Sequence, residues 1–371
     1  MMGQQKERPF ILVTSEERDQ VLQKINTQDW AFKIYTELKV KTDSQVKKFY
    51  KNPEKYLKQL PFNWKEGKQN QFPSFFKTDH IENGVHKNLD NATDTEWKPA
   101  ELLIKNLQVA LDCGYLYYIT QDEKYAYMAS SILYSFVKSV QKSQLSDWHS
   151  RGGWLFPYDG FREVRVIGYK VPLIYDFVAT YLNKGGVSFD IIQNKKVSFP
   201  IDELQNVCRT YADITINYGH TGSNHSVLEA PSLVYNSLAM DDEKEREKPR
   251  LDYFVYPNNE IVRWGDGKRK GRAPYEAFDN AYTLAKIDGL EEVSQEIGPL
   301  LKNAMQKGKY ERNNLEAIFW HNSVDEKPVS IKLPRTDRVY HAGIIMQRNI
   351  STTKDPKDGL MGFVGGAAMV H

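Results

Sequence analysis

From residue 101 to residue 321 the apolar residues recur at three- and four-residue spacings, in one stretch after another. This is the period of a helix that buries one face. Glu101–Ile119 places Leu103, Leu107, Ala110, Leu111 and Gly114 on such a face, and Lys124–Gln141 repeats it with Tyr127, Ile132, Leu133, Phe136, Val137 and Val140. Arg162–Leu182, Ile201–Asn217, Asn224–Met240, Tyr275–Ile287, Leu290–Gln306 and Tyr310–His321 continue the pattern, with Gly, Pro, Asp and Asn between them. No parallel strands interleave with these helices. A serial array of this kind has to bury helix against helix, and there are too many elements for a four-helix bundle. The expected architecture is mainly α, an (α/α) toroid or incomplete barrel.

The ends of the chain read differently. Near the N-terminus, Thr14 followed by Glu17 has the form of a capping box, introducing a helix through Ile25 and a second one around Trp30–Lys41. Residues 62–98 are polar, Asn-rich and irregular, and predict a long surface loop or an arm over a cleft. From residue 326 the period shortens. Pro328–Pro334 alternates, Arg338–Arg348 reads as a buried strand, and Leu360–Val364 is a third short run. The chain stops at His371 just after that run. Three strands without a partner sheet or a covering helix are not expected to be independently stable. Residues 1–325 are therefore read as a helical domain and 326–371 as the start of an antiparallel β-sandwich domain, cut short. The alternative is a small terminal sheet packed on the helices.

With 371 residues, 40% hydrophobic and 26% charged, the chain can bury a substantial core. Its net charge of +2 gives no overall field directed at nucleic acid or a membrane surface. No apolar run reaches the length of a membrane span, roughly 18 residues. Cys113 and Cys208 fall inside helical apolar patterns and read as buried small hydrophobes. The opening MMGQQKERPF lacks a signal-peptide core. Either the protein is cytoplasmic or a signal peptide has been removed. The doubled Met favours the second reading, a periplasmic or secreted protein.

Chemistry concentrates in a few places. Asn224 and His225 stand at the mouth of an apolar run, and Glu229 follows one helical turn later, within reach of the imidazole. The competing explanation is a helix cap by Ser223 or Asn224. Pro231 should kink or restart the helix. A Gly- and basic-rich loop, Trp264 to Arg272, ends in Ala273-Pro274 and delivers Tyr275 to a helix N-terminus. There the helix dipole, with Lys268, Arg269, Lys270 and Arg272, would favour a tyrosinate or an anionic substrate. Tyr282 shares the face of Tyr275 and competes with it; a surface turn with an interfacial Tyr is the plainer reading. Trp148, Arg151, Trp154, Arg162 and Arg165 interleave rings with guanidinium forks, a combination suited to an acidic sugar. Equally, the two later arginines can ride a helix face, and any single ring can be core. His341 lies in the predicted strand and His371 ends the chain. No complete metal-site spacing, P-loop, dinucleotide fingerprint or Gly-x-Ser-x-Gly is present.

Asn224-His225 with Glu229-Ala230, Pro274-Tyr275 about fifty residues later, the opening Arg8-Pro-Phe-Ile-Leu-Val and Arg338-Val-Tyr-His-Ala-Gly together resemble the heparinase II/III-type polysaccharide lyases. The resemblance implies β-elimination on a uronate-containing, glycosaminoglycan-like polysaccharide. It assigns Asn224 and His225 to the substrate carboxylate and base roles and Tyr275 to proton transfer. It makes His371 the beginning of a His cluster in the β domain, where a divalent metal is possible; within this chain it implies no cofactor. Trp148, Arg151, Trp154, Arg162, Arg165, Glu229, Arg272 and Tyr282 are the expected substrate-binding residues, with Glu229 also orienting His225. The implied partner is an acidic polysaccharide, with no nucleic acid and no membrane; the oligomeric state stays open. Two other readings compete. One is an inverting glycoside hydrolase on an α/α barrel, using Asp266 with Glu276 or Glu163. The other is a non-catalytic, sugar-binding fragment.

Overall fold

The computed structural model describes residues 7–58, 81–82, 85–86, 94–141, 163–218, 225–242, 275–325, 336–339, 344–349 and 360–365. These residues are mainly helical. The chain divides into two compact units, Met1–Ala273 with Arg312–Asn322, and Pro274–Glu311 with Ser323–His371.

The first unit begins with α1 (Arg18–Thr27), α2 (Asp29–Lys51) and α3 (Pro53–Leu57). Half of the predicted capping box forms. The Glu17 carboxylate accepts the Thr14 amide at 2.7 Å and the Thr14 hydroxyl at 2.9 Å, and the helix proper starts one residue later. Within the stretch expected to be irregular, β1 (Ile81–Glu82) pairs antiparallel with β2 (Val85–His86), and α4 (Asp94–Thr120) already begins at Asp94. The last residues of that stretch are therefore helix. α5 (Glu123–Gln141) is buried almost all round, as a helix surrounded by packed neighbours must be. α4 packs on α5 and on α6 (Lys170–Asn183), and α7 (Ile201–Tyr218) packs on α8 (His225–Ala239). A short helix, α11 (Glu316–Trp320), carries Phe319 into the ring cluster of this unit. There Phe319 meets Tyr115 at 5.5 Å edge-on and Phe177 at 5.9 Å stacked. For these rings the plainer reading of the aromatic content holds: they are core.

A hairpin of β3 (Val187–Asp190) and β4 (Lys195–Ser198) was not anticipated from the helical period. It docks on α5 through buried serines: Ser130 Oγ donates to the Val187 carbonyl at 3.1 Å, and Ser131 Oγ accepts the Phe189 amide at 2.9 Å. Asp190 closes its turn, accepting Ile192 N at 2.7 Å, Gln193 N at 3.0 Å and the Tyr134 hydroxyl at 2.5 Å. Burial alone would raise this carboxyl, but the hydrogen bonds from Tyr134, Gln193 and Ile192 outweigh it and hold it below the ordinary carboxylate value. A depressed folded-state pKa stabilises above the unfolded value, about 3.9, and the stabilisation is lost as the pH falls through the folded value. Asp190→Asn is therefore expected to lower the urea midpoint at pH 7, and the difference from the parent should narrow at pH 3.

The segment before α1 is tied down by a buried clamp. Arg8 donates to Asp176 Oδ1 at 2.9 Å, to Asp241 Oδ1 at 2.9 Å and to the Ala239 carbonyl at 2.8 Å. Asp176 Oδ2 accepts the amides of Phe10 and Ile11, each at 3.0 Å. One carboxylate on α6 thus binds the N-terminal strand of chain, and one guanidinium binds the end of α8.

The second unit holds α9 (Tyr275–Ile287) and α10 (Glu291–Gln306), a helical hairpin turned at Gly289. Gly289 has φ +68°, and beyond it Leu290 N reaches back to the Ala285 carbonyl at 2.8 Å, a left-handed helix stop. Its sheet runs β5 (Thr336–Val339), β6 (Ile344–Asn349), β7 (Leu360–Gly365), all antiparallel. Two sequence expectations change. Arg338–Arg348, read as one strand, is the hairpin of β5 and β6, with Val339 opposite Ile344. His341 and the predicted strand Pro328–Pro334 lie outside the described residues. Tyr310–His321 is helical only as α11, because Asn314 Oδ1 accepts the Ala317 amide at 3.0 Å and starts the helix there.

Candidate functional site

The expected helix Arg162–Leu182 is not uniform. Val164–Gly168 forms a π-helical turn before α6 begins at Lys170. Such turns widen the backbone to re-aim side chains, and they concentrate at functional sites. This one faces α8. Arg165 Nε lies 3.4 Å from Glu229 Oε1, with the Arg165 side chain 20% exposed and Glu229 at 0%. Asn236 Nδ2 donates to the Gly168 carbonyl at 2.8 Å. A Cβ on Gly168 would stand 2.4 Å from Ser232 Oγ, so only glycine permits this approach. Glu163, just before the turn, is fully buried and accepts the Tyr211 hydroxyl at 2.8 Å.

α8 begins at His225, one turn before Glu229, and runs through Pro231. Pro231 has no amide to give to the carbonyl of residue 227, yet the helix continues to Ala239. The structure thus brings together two expected residues, Arg165 from the π turn and Glu229 from the helix that begins at His225. Glu229 is a buried partner of Arg165. Glu229→Ala is expected to cost about 1–3 kcal/mol, the penalty for leaving a half-buried guanidinium without its counter-charge. Urea denaturation with an unchanged m-value checks this.

A second set of polar groups escaped the sequence reading. Lys170 Nζ donates to Gln108 Oε1 and to the Tyr169 hydroxyl, both at 2.5 Å, and Gln108 Nε2 donates to Asp112 Oδ1 at 2.8 Å. Asp112 is buried, which raises its carboxyl despite the Gln108 hydrogen bond and the Lys41 ammonium 3.8 Å away. Tyr115 donates to Glu316 Oε1 at 2.7 Å, and burial, then Glu316, push its hydroxyl well up. Phenols held this way stay protonated and can donate a hydrogen bond or a proton, but they do not serve as bases. The available signal was Gln108 and Asp112, four residues apart on α4 around the apolar Val109, Ala110 and Leu111.

In the second unit Tyr275 is the first residue of α9 and half-buried. Its ring is 6.3 Å from that of Phe278 and 6.1 Å from that of Tyr310. Tyr282 is 2% exposed and packs with Leu301 and Val324 as a core ring. Asp279 accepts the Tyr310 hydroxyl at 2.8 Å. Asn224, Trp148, Arg151, Trp154, Arg162, Arg272 and His371 lie outside the described residues, as does the side chain of His225. So does Asp266, while Glu163 is occupied by Tyr211 and Glu276 is exposed. Among the described residues no three His, Cys, Asp or Glu side chains gather as a metal site requires, and no helix is long and apolar enough to cross a membrane.

Comparison with known proteins adds a chemical direction. A family model described as the second domain of endo-acting ulvan lyases matches residues 246–329, the stretch that contains the basic loop, Tyr275 and the α9–α10 hairpin. An endo-acting ulvan lyase of Formosa agariphila is 24% identical over 463 aligned residues, which cover 100% of this chain and 53% of that protein. The chain therefore spans about half the length of the curated relative it matches. No solved structure matches. The likeness runs along the whole chain, and it is a likeness to polysaccharide lyases.

Proposed function

We propose that this chain belongs to a polysaccharide lyase that cleaves an acidic, uronate-containing polymer by β-elimination. The observation that carries the reading is the buried Arg165–Glu229 pair, one turn into the helix that His225 opens. It sets opposite charges together on the helix expected to hold the uronate. The likeness to an ulvan lyase along the whole chain supports the same reaction class, and makes ulvan the first polymer to test, ahead of glycosaminoglycans and alginate. The finer expectations belong to this proposal. They are a heparinase II/III-type enzyme, an (α/α) toroid over residues 1–325, and a β-sandwich beginning at 326. A polymer too large to cross a membrane fits a periplasmic or secreted enzyme.

In the proposed reaction the proton on C5 of the uronate leaves, the C4–O bond breaks, and a C4=C5 double bond forms. The C5 proton is too weakly acidic until the carboxylate is neutralised. An amide from Asn224 and an imidazolium from His225 would supply that neutralisation where charge develops. Tyr275 would take the proton and return it to the departing glycosidic oxygen. His371, as the beginning of the His cluster that the resemblance implies, would assist these residues. A divalent metal in the β domain remains part of the resemblance. The described residues offer no donor set for one, and no step here is routed through it.

The test is a panel of acidic polysaccharides, read by the ultraviolet absorbance of the unsaturated uronate and by product size. Absorbance rising with new reducing ends is the expected result. Reducing ends without absorbance would replace elimination by hydrolysis.

A further inference from the structure

A concave cleft of about 550 Å³ opens in the first unit between the end of α2, α3 and the early turns of α4. Four lysines line it, Lys48, Lys51, Lys55 and Lys105, and no carboxylate is among the described residues that do. In a chain with 50 basic and 48 acidic side chains, such segregation is a local departure. Lys48, Lys51 and Lys55 follow at helical spacing across the α2–α3 junction, while Lys105 faces them from α4. The nearby carboxylate Glu54 is bound by Lys58, and among the described residues none of the four lysines has an ion-pair partner. The rest of the described lining is neutral, with Leu102 and Val109 beside Gln45, Asn52, Tyr56 and Asn106. Tyr56 is buried, its hydroxyl donates to Gln45 at 3.3 Å, and burial pushes its phenol well up. Asn106 gives its amide to the Leu102 carbonyl at 2.8 Å.

Four ammonium groups on an otherwise neutral lining call for a ligand with several separated negative charges. The size suits a short run of sugar units. Among the described residues, no exposed aromatic ring lines the cleft to stack a base, and no guanidinium lines it to fork a phosphate, as single-stranded nucleic-acid sites usually require. Among the described residues, the lining includes neither Glu229 nor Tyr275. We propose that it is a second, non-catalytic binding site for a polyanionic polysaccharide, one that holds a strand of polymer away from the reacting sugar. This rests on the lyase reading for its ligand, though not for its charge.

The experiment compares the parent with a combined Lys48→Gln, Lys51→Gln, Lys55→Gln, Lys105→Gln variant and with the matching four-arginine variant, each checked for an unchanged thermal melt. With long polymer, the Gln variant is expected to raise KM about tenfold, since a few exposed ion pairs together supply that much affinity. Its kcat, and its turnover of the shortest cleaved oligosaccharide, should match the parent. Retention in a gel containing the polysaccharide should fall for the Gln variant and persist for the Arg variant. Unchanged retention and KM in the Gln variant would overturn the proposal. So would equal losses in both variants, or a loss confined to retention by single-stranded DNA. If the parent cleaves no acidic polymer, the lyase reading fails by itself, and the polysaccharide gel still decides the cleft.

Discussion

Tyr275→Phe is expected to lower kcat on the cleaved polysaccharide by about 10²–10⁴-fold, the usual contribution of a positioned proton-transfer group, with little change in KM. The substitution removes one oxygen and keeps the ring, so the contacts with Phe278 and Tyr310 survive and the fold should not move. Tyr275 is suited to the role by position. It opens a 13-residue helix and is only half-buried. Tyr282→Phe is the internal control. That ring is core at 2% exposure, and its loss of a hydroxyl should leave the rate within a few-fold of the parent. Initial rates of unsaturated-uronate formation separate the cases. If Tyr275→Phe and Asn224→Ala both keep the parent's rate, the residue assignment is wrong even if the reaction class is right.

Asp176→Ala should be the most destabilising single change among the described residues, at about 3–5 kcal/mol. Its side chain is completely buried and accepts three hydrogen bonds, from Arg8 and from the amides of Phe10 and Ile11. Truncation strands the Arg8 guanidinium, 6% exposed, between the Phe10 and Tyr175 rings, with only Asp241 as counter-charge. It also frees the segment that Asp176 pins to α6. Urea denaturation read by circular dichroism would measure the loss. A change below about 1 kcal/mol would mean that the clamp is replaced by water at little cost. Because Arg8 also holds the Ala239 carbonyl at the end of α8, the variant should lose lyase activity at a lower temperature than the parent.

Much of the architecture could be read directly from the residues. Tyr275–Ile287 has the bounds its apolar spacing predicts, and Glu123–Gln141 and Ile201–Tyr218 differ from expectation by one residue at one end. Local rules are enough for these helices, because burial of one face and the residues that stop a helix are both written within a few turns of chain. The β3–β4 hairpin was missed because its strands are four residues long and its turn is closed by Asp190, whose side-chain role a helical period does not reveal.

The candidate site divides along the same line. Sequence alone marked His225 and Glu229 as one face of a helix, and Tyr275 as the start of another, since i to i+4 spacing and a Pro before a helix are local facts. What Glu229 does was decided by tertiary structure: its partner Arg165 comes from a π turn on a segment 64 residues earlier in the chain. The same holds for Lys170 with Gln108, 62 residues apart, and for Arg8 with Asp176, 168 apart. In the sequence Lys48, Lys51 and Lys55 belong to one short basic stretch, and Lys105 lies fifty residues further on. Only the packing of α2 and α3 on α4 turns them into one surface. Periodicity determines which residues share an element. Which elements meet depends on how their faces fit together in the core, and every pairing of buried charges waits on that fit.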